Sequence, residues 1–265
     1  DVIEGTPGDD VICAGNGNDV INAGAGNDIV YGGNGQDVID GGEGDDRIFG
    51  AQGNDEISGG NGDDVVHGNL GNDLLDGGTG ADRIFGYAGN DTIFGETGDD
   101  TVAGGTGDDS LSGGTGDDVL TGGAGADTIS GGDDADLIVG GTAGDVVDGG
   151  TGETDGLDQD TLDLRDVGDF RLTDVTRDAD GDSDSGTVEF LDDAGDVSGS
   201  MTFTEIETIL GTPVGGGDNT APDAVDDADT TAFNTPVTVD LLANDTDAET
   251  PDGLSVTEAT VPADQ

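Results

Sequence analysis

Residues 32–58 read GGNGQDVID GGEGDDRIF GAQGNDEIS, three successive nonapeptides of the form GGxGxDxUx in which U is a large aliphatic residue. Working outward from them, the whole stretch from Gly5 to Asp148 divides into 16 such units with no insertion or deletion. The sixth place is aspartate in every unit: Asp10, Asp19, Asp28, Asp37, Asp46, Asp55, Asp64, Asp73, Asp82, Asp91, Asp100, Asp109, Asp118, Asp127, Asp136 and Asp145. The eighth place is always Ile, Val or Leu, from Ile12 to Val147. A fixed period of this kind marks a stacked repeat architecture, in which each unit buries its apolar face only against its neighbours.

Nine residues suffice for a turn and a short strand. Glycines at the first and fourth places supply positive φ, so GGxGxD turns tightly, while xUx extends. Two units then close one coil of 18 residues, and eight coils stacked at a strand spacing of ~4.8 Å make a roll roughly 38 Å long. Side chains alternate along a strand, so each U residue points inward while the seventh and ninth places face out. Turns on the same side recur every 18 residues, which sorts the aspartates into two files. One runs from Asp10 and Asp28 to Asp136, the other from Asp19 and Asp37 to Asp145. Carboxylates one coil apart repel unless a cation lies between them.

The composition makes the same demand. Sixty-two acidic residues face five arginines and no lysine, a net charge of −57, while apolar residues are 31% and aromatics 3%. Such a chain cannot bury enough surface to offset the ordering of its 54 glycines, and by itself reads as disordered. Periodicity and composition agree if the ordered state takes up hard divalent ions, whose preferred ligands are carboxylate and carbonyl oxygens. Eight turns in a file leave seven gaps, hence about 14 Ca²⁺ sites at most. At two charges each, these neutralise about half of the excess.

The repeat resembles the calcium-binding nonapeptides of the repeats-in-toxin (haemolysin-type) family, over more than half of the chain. The resemblance implies a parallel β-roll with Ca²⁺ between adjacent turns, exported unfolded by type I secretion machinery and folded outside the cell. It makes the 16 motif aspartates the metal ligands. Several units depart from the pattern. Asp134 and Ala143 replace the fourth-place glycine, and Ala14, Ala23, Ala51, Asn69, Tyr87 and Glu96 stand at first or second places. A non-glycine at the fourth place resists the turn, so about a dozen competent sites are expected.

The two sheets of the roll differ outside. Ninth places of one run Cys13, Tyr31, Phe49, His67, Phe85, Ala103, Thr121, Val139, with Arg47 and Arg83 at its seventh places. The other shows Asn22, Asp40, Ser58, Asp76, Phe94, Ser112, Ser130 and Asp148. Cross-strand ladder packing accounts for the first file; a contact surface for a neighbouring domain or a saccharide is the sharper reading. His67 reads as a ladder member, since no second His or Cys pairs with it.

The period fails at 149–156, where Thr154 stands in place of aspartate. Residues 160–175, 186–193 and 199–210 then alternate apolar and polar residues like short antiparallel strands, as a cap on an open roll requires. The loop 177–186 lacks the final glutamate of an EF-hand and reads as an acidic turn. A linker, 211–223, leads to 224–265, where NTPVTVDLLANDTD (234–247) resembles the start of a cadherin-like or immunoglobulin-like module, here about half of the ~100 residues that sandwich needs.

The fold expected is therefore all-β: a calcium-stabilised parallel β-roll (1–156), an antiparallel β cap (157–210), a linker and a truncated sandwich module. The chain reads as a piece of a longer secreted or surface-attached polypeptide. Its single histidine and the absence of HExxH and GxSxG leave no protease or hydrolase chemistry. The charge excludes nucleic acid as a partner, and no segment approaches the ~18 apolar residues of a membrane span. A noncatalytic calcium-binding structural or adhesion module is the first reading. The alternative is the secretion and folding module of an enzyme or toxin whose active domain lies outside these residues.

Overall fold

The computed structural model describes residues 1–150, 159–177 and 183–214. The sandwich-like segment 224–265 and part of the loop 177–186 lie outside the described residues. Residues 1–212 form one compact unit.

Strands β1 (Val2–Glu4), β2 (Val11–Asn16) and β3 (Val20–Ala25) begin a series that recurs every nine residues to β15 (Thr128–Asp133), then β16 (Leu137–Val139) and β17 (Val146–Gly150). Odd-numbered strands form one parallel sheet and even-numbered strands the other. Partners stand 18 residues apart, as in Ile39↔Ile57 and Ile48↔Val66. This is the expected two-sheet roll. Every eighth-place side chain is buried, from Ile12 at 8% exposure to fully enclosed Val66 and Ile84, so the core is the predicted thin double column of aliphatics.

The glycines correct the sequence reading. Positive φ falls at the second and fourth places, as at Gly42 (103°) and Gly44 (121°), and not at the first. First-place glycines are needed for space instead. A β-carbon on Gly50 would lie 2.4 Å from Asp55 Oδ2 and 3.0 Å from the Gly68 carbonyl oxygen. Second-place Ala51, Asn69, Tyr87 and Glu96 accept left-handed φ of 76–85°, a cost of ~1–2 kcal/mol each for residues other than glycine. Asp134 does likewise at φ 78°, so it does not break its turn as expected. The unit holding Ala143 turns differently, through Gly140 (80°) and Gly144 (107°).

Beyond the repeat, β18 (Thr161–Asp163) and β22 (Thr208–Leu210) add to the second sheet in parallel, and β21 (Val197–Ile206) pairs in parallel with β17. Only β19 (Phe170–Arg177), β20 (Asp184–Leu191) and β21 are mutually antiparallel. The flank thus continues both sheets before reversing, where the sequence suggested antiparallel strands throughout. Its apolar residues extend the two core columns: Phe203 stands in register with Val147, and Leu162 with Ile138.

Two outcomes follow. Gly60→Ala, whose β-carbon would meet the Gly42 carbonyl oxygen at 2.2 Å, should raise the calcium concentration needed for folding severalfold, while Ala51→Gly should leave it equal or lower; circular dichroism titrations compare them. Residues 1–156 should need more calcium than residues 1–210, or associate through the bared edges of β16 and β17. Equal midpoints with both chains monomeric in sedimentation would make the flank a passive tail.

Candidate metal centre

The sixth and eighth places share a strand face, so the motif aspartates point inward beside the aliphatic column. Those from Asp19 to Asp145 are at most 3% exposed. Each takes one specific bond across the coils: the Asp37 amide donates to Asp55 Oδ1 at 2.9 Å, Asp55 to Asp73 at 2.9 Å and Asp73 to Asp91 at 2.8 Å. The other file repeats this through Asp46, Asp64, Asp82 and Asp100, each at 2.7 Å. One oxygen of every carboxylate is thus committed to holding the register.

The second oxygen has nothing. In every motif aspartate from Asp19 to Asp127, Oδ2 is buried with no hydrogen-bond partner, an arrangement that costs several kcal/mol per charged group if left uncompensated. From Asp37 to Asp136 each Oδ2 borders the space opened by its first-place glycine, as Asp46 Oδ2 and the Gly59 carbonyl oxygen do at 2.6 and 2.4 Å from a β-carbon position on Gly41. These donors are carboxylate and peptide oxygens, the set Ca²⁺ takes. Among the described residues no three His, Cys, Asp or Glu side chains group around one point, so any ion here must complete its shell with carbonyls. Nothing in this set favours a soft metal.

The ends of the files differ. Asp10 Oδ2 accepts from the Thr6 amide (2.6 Å) and hydroxyl (2.9 Å), and Asp145 Oδ2 from the Thr142 amide (2.6 Å). Threonine closes these terminal carboxylates, whereas Oδ2 of each motif aspartate from Asp19 to Asp127 has no hydrogen-bond partner. At the far end the sequence reading stopped too early. The Asp136 amide donates to Asp160 Oδ1 at 2.8 Å, and the Asp160 amide to Glu207 Oε2 at 2.5 Å, carrying the file into the flank. A signal existed, for Asp160-Thr161-Leu162 and Glu207-Thr208-Ile209 repeat the acid-x-aliphatic order of the units.

A second ladder also escaped the sequence reading. Fifth-place side chains accept amides from the following coil: Asn54 Oδ1 from Asn72, Asn72 from Asn90, both at 3.0 Å, and Asp45 from Asp63 at 3.1 Å. It runs opposite in direction to the aspartate ladder, so each turn is tied both up and down the stack. His67 is a ladder member as expected, stacked between Phe49 (4.8 Å) and Phe85 (5.1 Å) with Tyr87 Oη 3.2 Å from its Nδ1.

Burial sets the titration. The Asp64 and Asp100 carboxyls are pushed up to about 7, and those of Asp46, Asp73, Asp82, Asp118 and Asp127 to about 6, from an ordinary 3.8. Loss of water is the main cause; the amide bond from the preceding coil opposes it, and repulsion from other acids adds to it.

A parallel roll with two files of buried, half-satisfied carboxylates defines a repeat protein built around bound cations. The chain belongs to the RTX calcium-binding nonapeptide repeat family, which it matches at 4–39, 40–75, 67–102, 76–111, 94–129, 103–138 and 122–153. Its repeats are therefore calcium-binding repeats. No curated protein matches the chain. Among solved structures it is similar to the AlgE6R3 subunit of the Azotobacter vinelandii mannuronan C5-epimerase, at 20% identity over 74% of this chain and 92% of that one, with a TM-score of 0.22, too low to bear on function.

The raised pKa values fix a pH dependence. In the metal-free coil the neutral carboxyls favour the fold in acid, fully below the ordinary 3.8, and this contribution is lost as pH rises through about 6 to 7. Calcium takes the charged form, so its binding strengthens across the same window and expels protons. Calcium titrations at about pH 5.5 and 7.5 should differ severalfold in midpoint, the acidic one weaker, with proton release by calorimetry at the lower pH. Equal midpoints with no proton release would contradict the assignment.

Proposed function

We propose that the chain is a noncatalytic, extracellular calcium-binding module that folds when it meets calcium after secretion and serves a structural or adhesive role within a larger protein. The observation that carries this reading is the unbroken run of buried, unpartnered Oδ2 atoms from Asp19 to Asp127. A file of that kind is intolerable without cations and stable with them, which makes folding conditional on calcium. Compartments poor in free calcium then leave the chain unfolded and fit for export by type I machinery; a calcium-rich exterior folds it. The 16 motif aspartates are assigned as ligands, with those from Asp19 to Asp136 as the principal set and about a dozen ions bound. The lone His67, tied into a ring stack, supports the noncatalytic reading.

In excess chelator the chain should lack β signal by circular dichroism and gain it cooperatively in calcium, with a midpoint near the ~10⁻⁴–10⁻³ M of extracellular modules. Asp73→Ala removes a carboxylate shared with Asp55 and Asp91 and should lower the bound calcium by about two ions. A native β signal in chelator, or unchanged stoichiometry in the variant, would overturn the proposal.

A further inference from the structure

The two lines of turns carry the same buried ligands and very different charge around them. Each file has eight motif aspartates. In the turns of the Asp10 to Asp136 file, the fifth places add Asp9, Asp45, Asp63, Asp99 and Asp117. Glu43, Glu96, Asp133 and Asp134, at second to fourth places, bring the further acids of this line to nine. In the turns of the Asp19 to Asp145 file the fifth places run Asn18, Gln36, Asn54, Asn72 and Asn90, and Asp108 is the one further acid of the first five places. All ten of these side chains are exposed. One edge of the roll is therefore acidic and the other nearly neutral.

The fifth-place ladder does not need that charge. Asp45 Oδ1 accepts the Asp63 amide at 3.1 Å and Asp99 Oδ1 the Asp117 amide at 3.1 Å, while on the other edge Asn54 Oδ1 accepts the Asn72 amide and Asn72 Oδ1 the Asn90 amide, both at 3.0 Å. Aspartate and asparagine hold the coils by the same bond, so what separates the two lines at this place is the charge alone. Each fifth-place residue directly precedes a motif aspartate, with Cα atoms ~3.8 Å apart, and its charge acts on the site beside it through a screening length of ~8 Å at 0.15 M salt. The opposite line lies across strands of six residues, such as Glu56–Asn61, ~20 Å away. It is out of reach of that charge.

Charge counting decides what this does to calcium. About seven gaps in each file, when filled, bring ~14 positive charges. The acidic line sets seventeen carboxylates against them, eight motif and nine further; the neutral line sets nine, eight motif and one further. A full acidic line is thus close to balanced. A full neutral line carries excess positive charge, and ions in neighbouring gaps there repel one another with little to offset them. From this we infer that the two files bind calcium unequally: the Asp10 to Asp136 file fills first and holds its ions more tightly, and the exposed acids of its turns, the fifth-place aspartates above all, set the difference. They act through their charge and not as ligands. Falling calcium then empties one edge of the roll before the other, and salt, which screens exposed charges, narrows the gap between them.

The inference rests on the calcium-binding reading, and variants of charge alone separate the two. Asp45→Asn/Asp63→Asn/Asp99→Asn/Asp117→Asn keeps the ladder bonds and removes four charges from the acidic line. In calcium titrations followed by circular dichroism at about pH 7.5 and about 0.02 M salt, its midpoint should rise severalfold, and the difference from the wild type should shrink at about 0.5 M salt. Asn54→Asp/Asn72→Asp/Asn90→Asp, on the neutral line, should lower the midpoint. If the exposed acids did no more than repel one another, both signs would reverse, because fewer charges would ease folding. Reversed signs or unchanged midpoints would overturn the inference while leaving calcium folding of the wild type intact. Calcium-loaded crystals stepped into falling calcium locate the effect: anomalous peaks should fade first beside Asp73 and Asp91 and last beside Asp64 and Asp82. Peaks that fade together, or in the opposite order, would overturn it as well. A wild type that calcium does not fold would overturn the functional reading and this inference with it.

Discussion

The bond from each motif amide to the carboxylate one coil on, such as Asp73 to Asp91 Oδ1 at 2.8 Å, holds the coils in register and creates the need the rest of the fold answers. By using one carboxylate oxygen as a backbone acceptor inside the roll, it drags a negative charge out of water and leaves Oδ2 stranded. The same step repeats in every coil, so charges accumulate in two columns under low-dielectric walls. Neighbouring charges then interact far more strongly than at a surface. Cations between the turns are the one remedy that keeps both the register bond and the charge.

Other features answer to that requirement. First-place glycine leaves room for Oδ2 and for the carbonyl of the next coil. Second- and fourth-place glycines supply the positive φ with which the chain turns. The aliphatic column is only one residue deep per strand, enough to orient the coils and too thin to hold them against the entropy of so many glycines. Fifth-place Asn and Asp add a counter-running tie outside the column. Under the proposed function, stability is thereby moved out of the core and into ion binding, so that the environment decides whether the chain is folded.

Much of this was legible because the period is strict. Invariant aspartate at the sixth place and an aliphatic at the eighth give the two sheets, the inward files and the 18-residue register directly. What escaped reading depends on three-dimensional neighbours. The first-place glycine looks like a turn residue until its clash with Oδ2 is seen. Asp134 looked disruptive, yet it takes positive φ within its turn. Asp160 stands 24 residues after Asp136, outside the period, and only the strand it precedes puts it into the file. The parallel pairing of β21 with β17 is a long-range choice that alternation alone does not encode.

The most direct test of the account is the anomalous scattering of calcium in crystals of the calcium-loaded chain. The account predicts two files of peaks, one along each line of turns, spaced by about one strand separation of ~4.8 Å, each lying between motif aspartates of successive coils and weakest where Thr6 and Thr142 close Asp10 and Asp145. Peaks confined to the acidic surface, or a folded roll with no calcium between its turns, would contradict it.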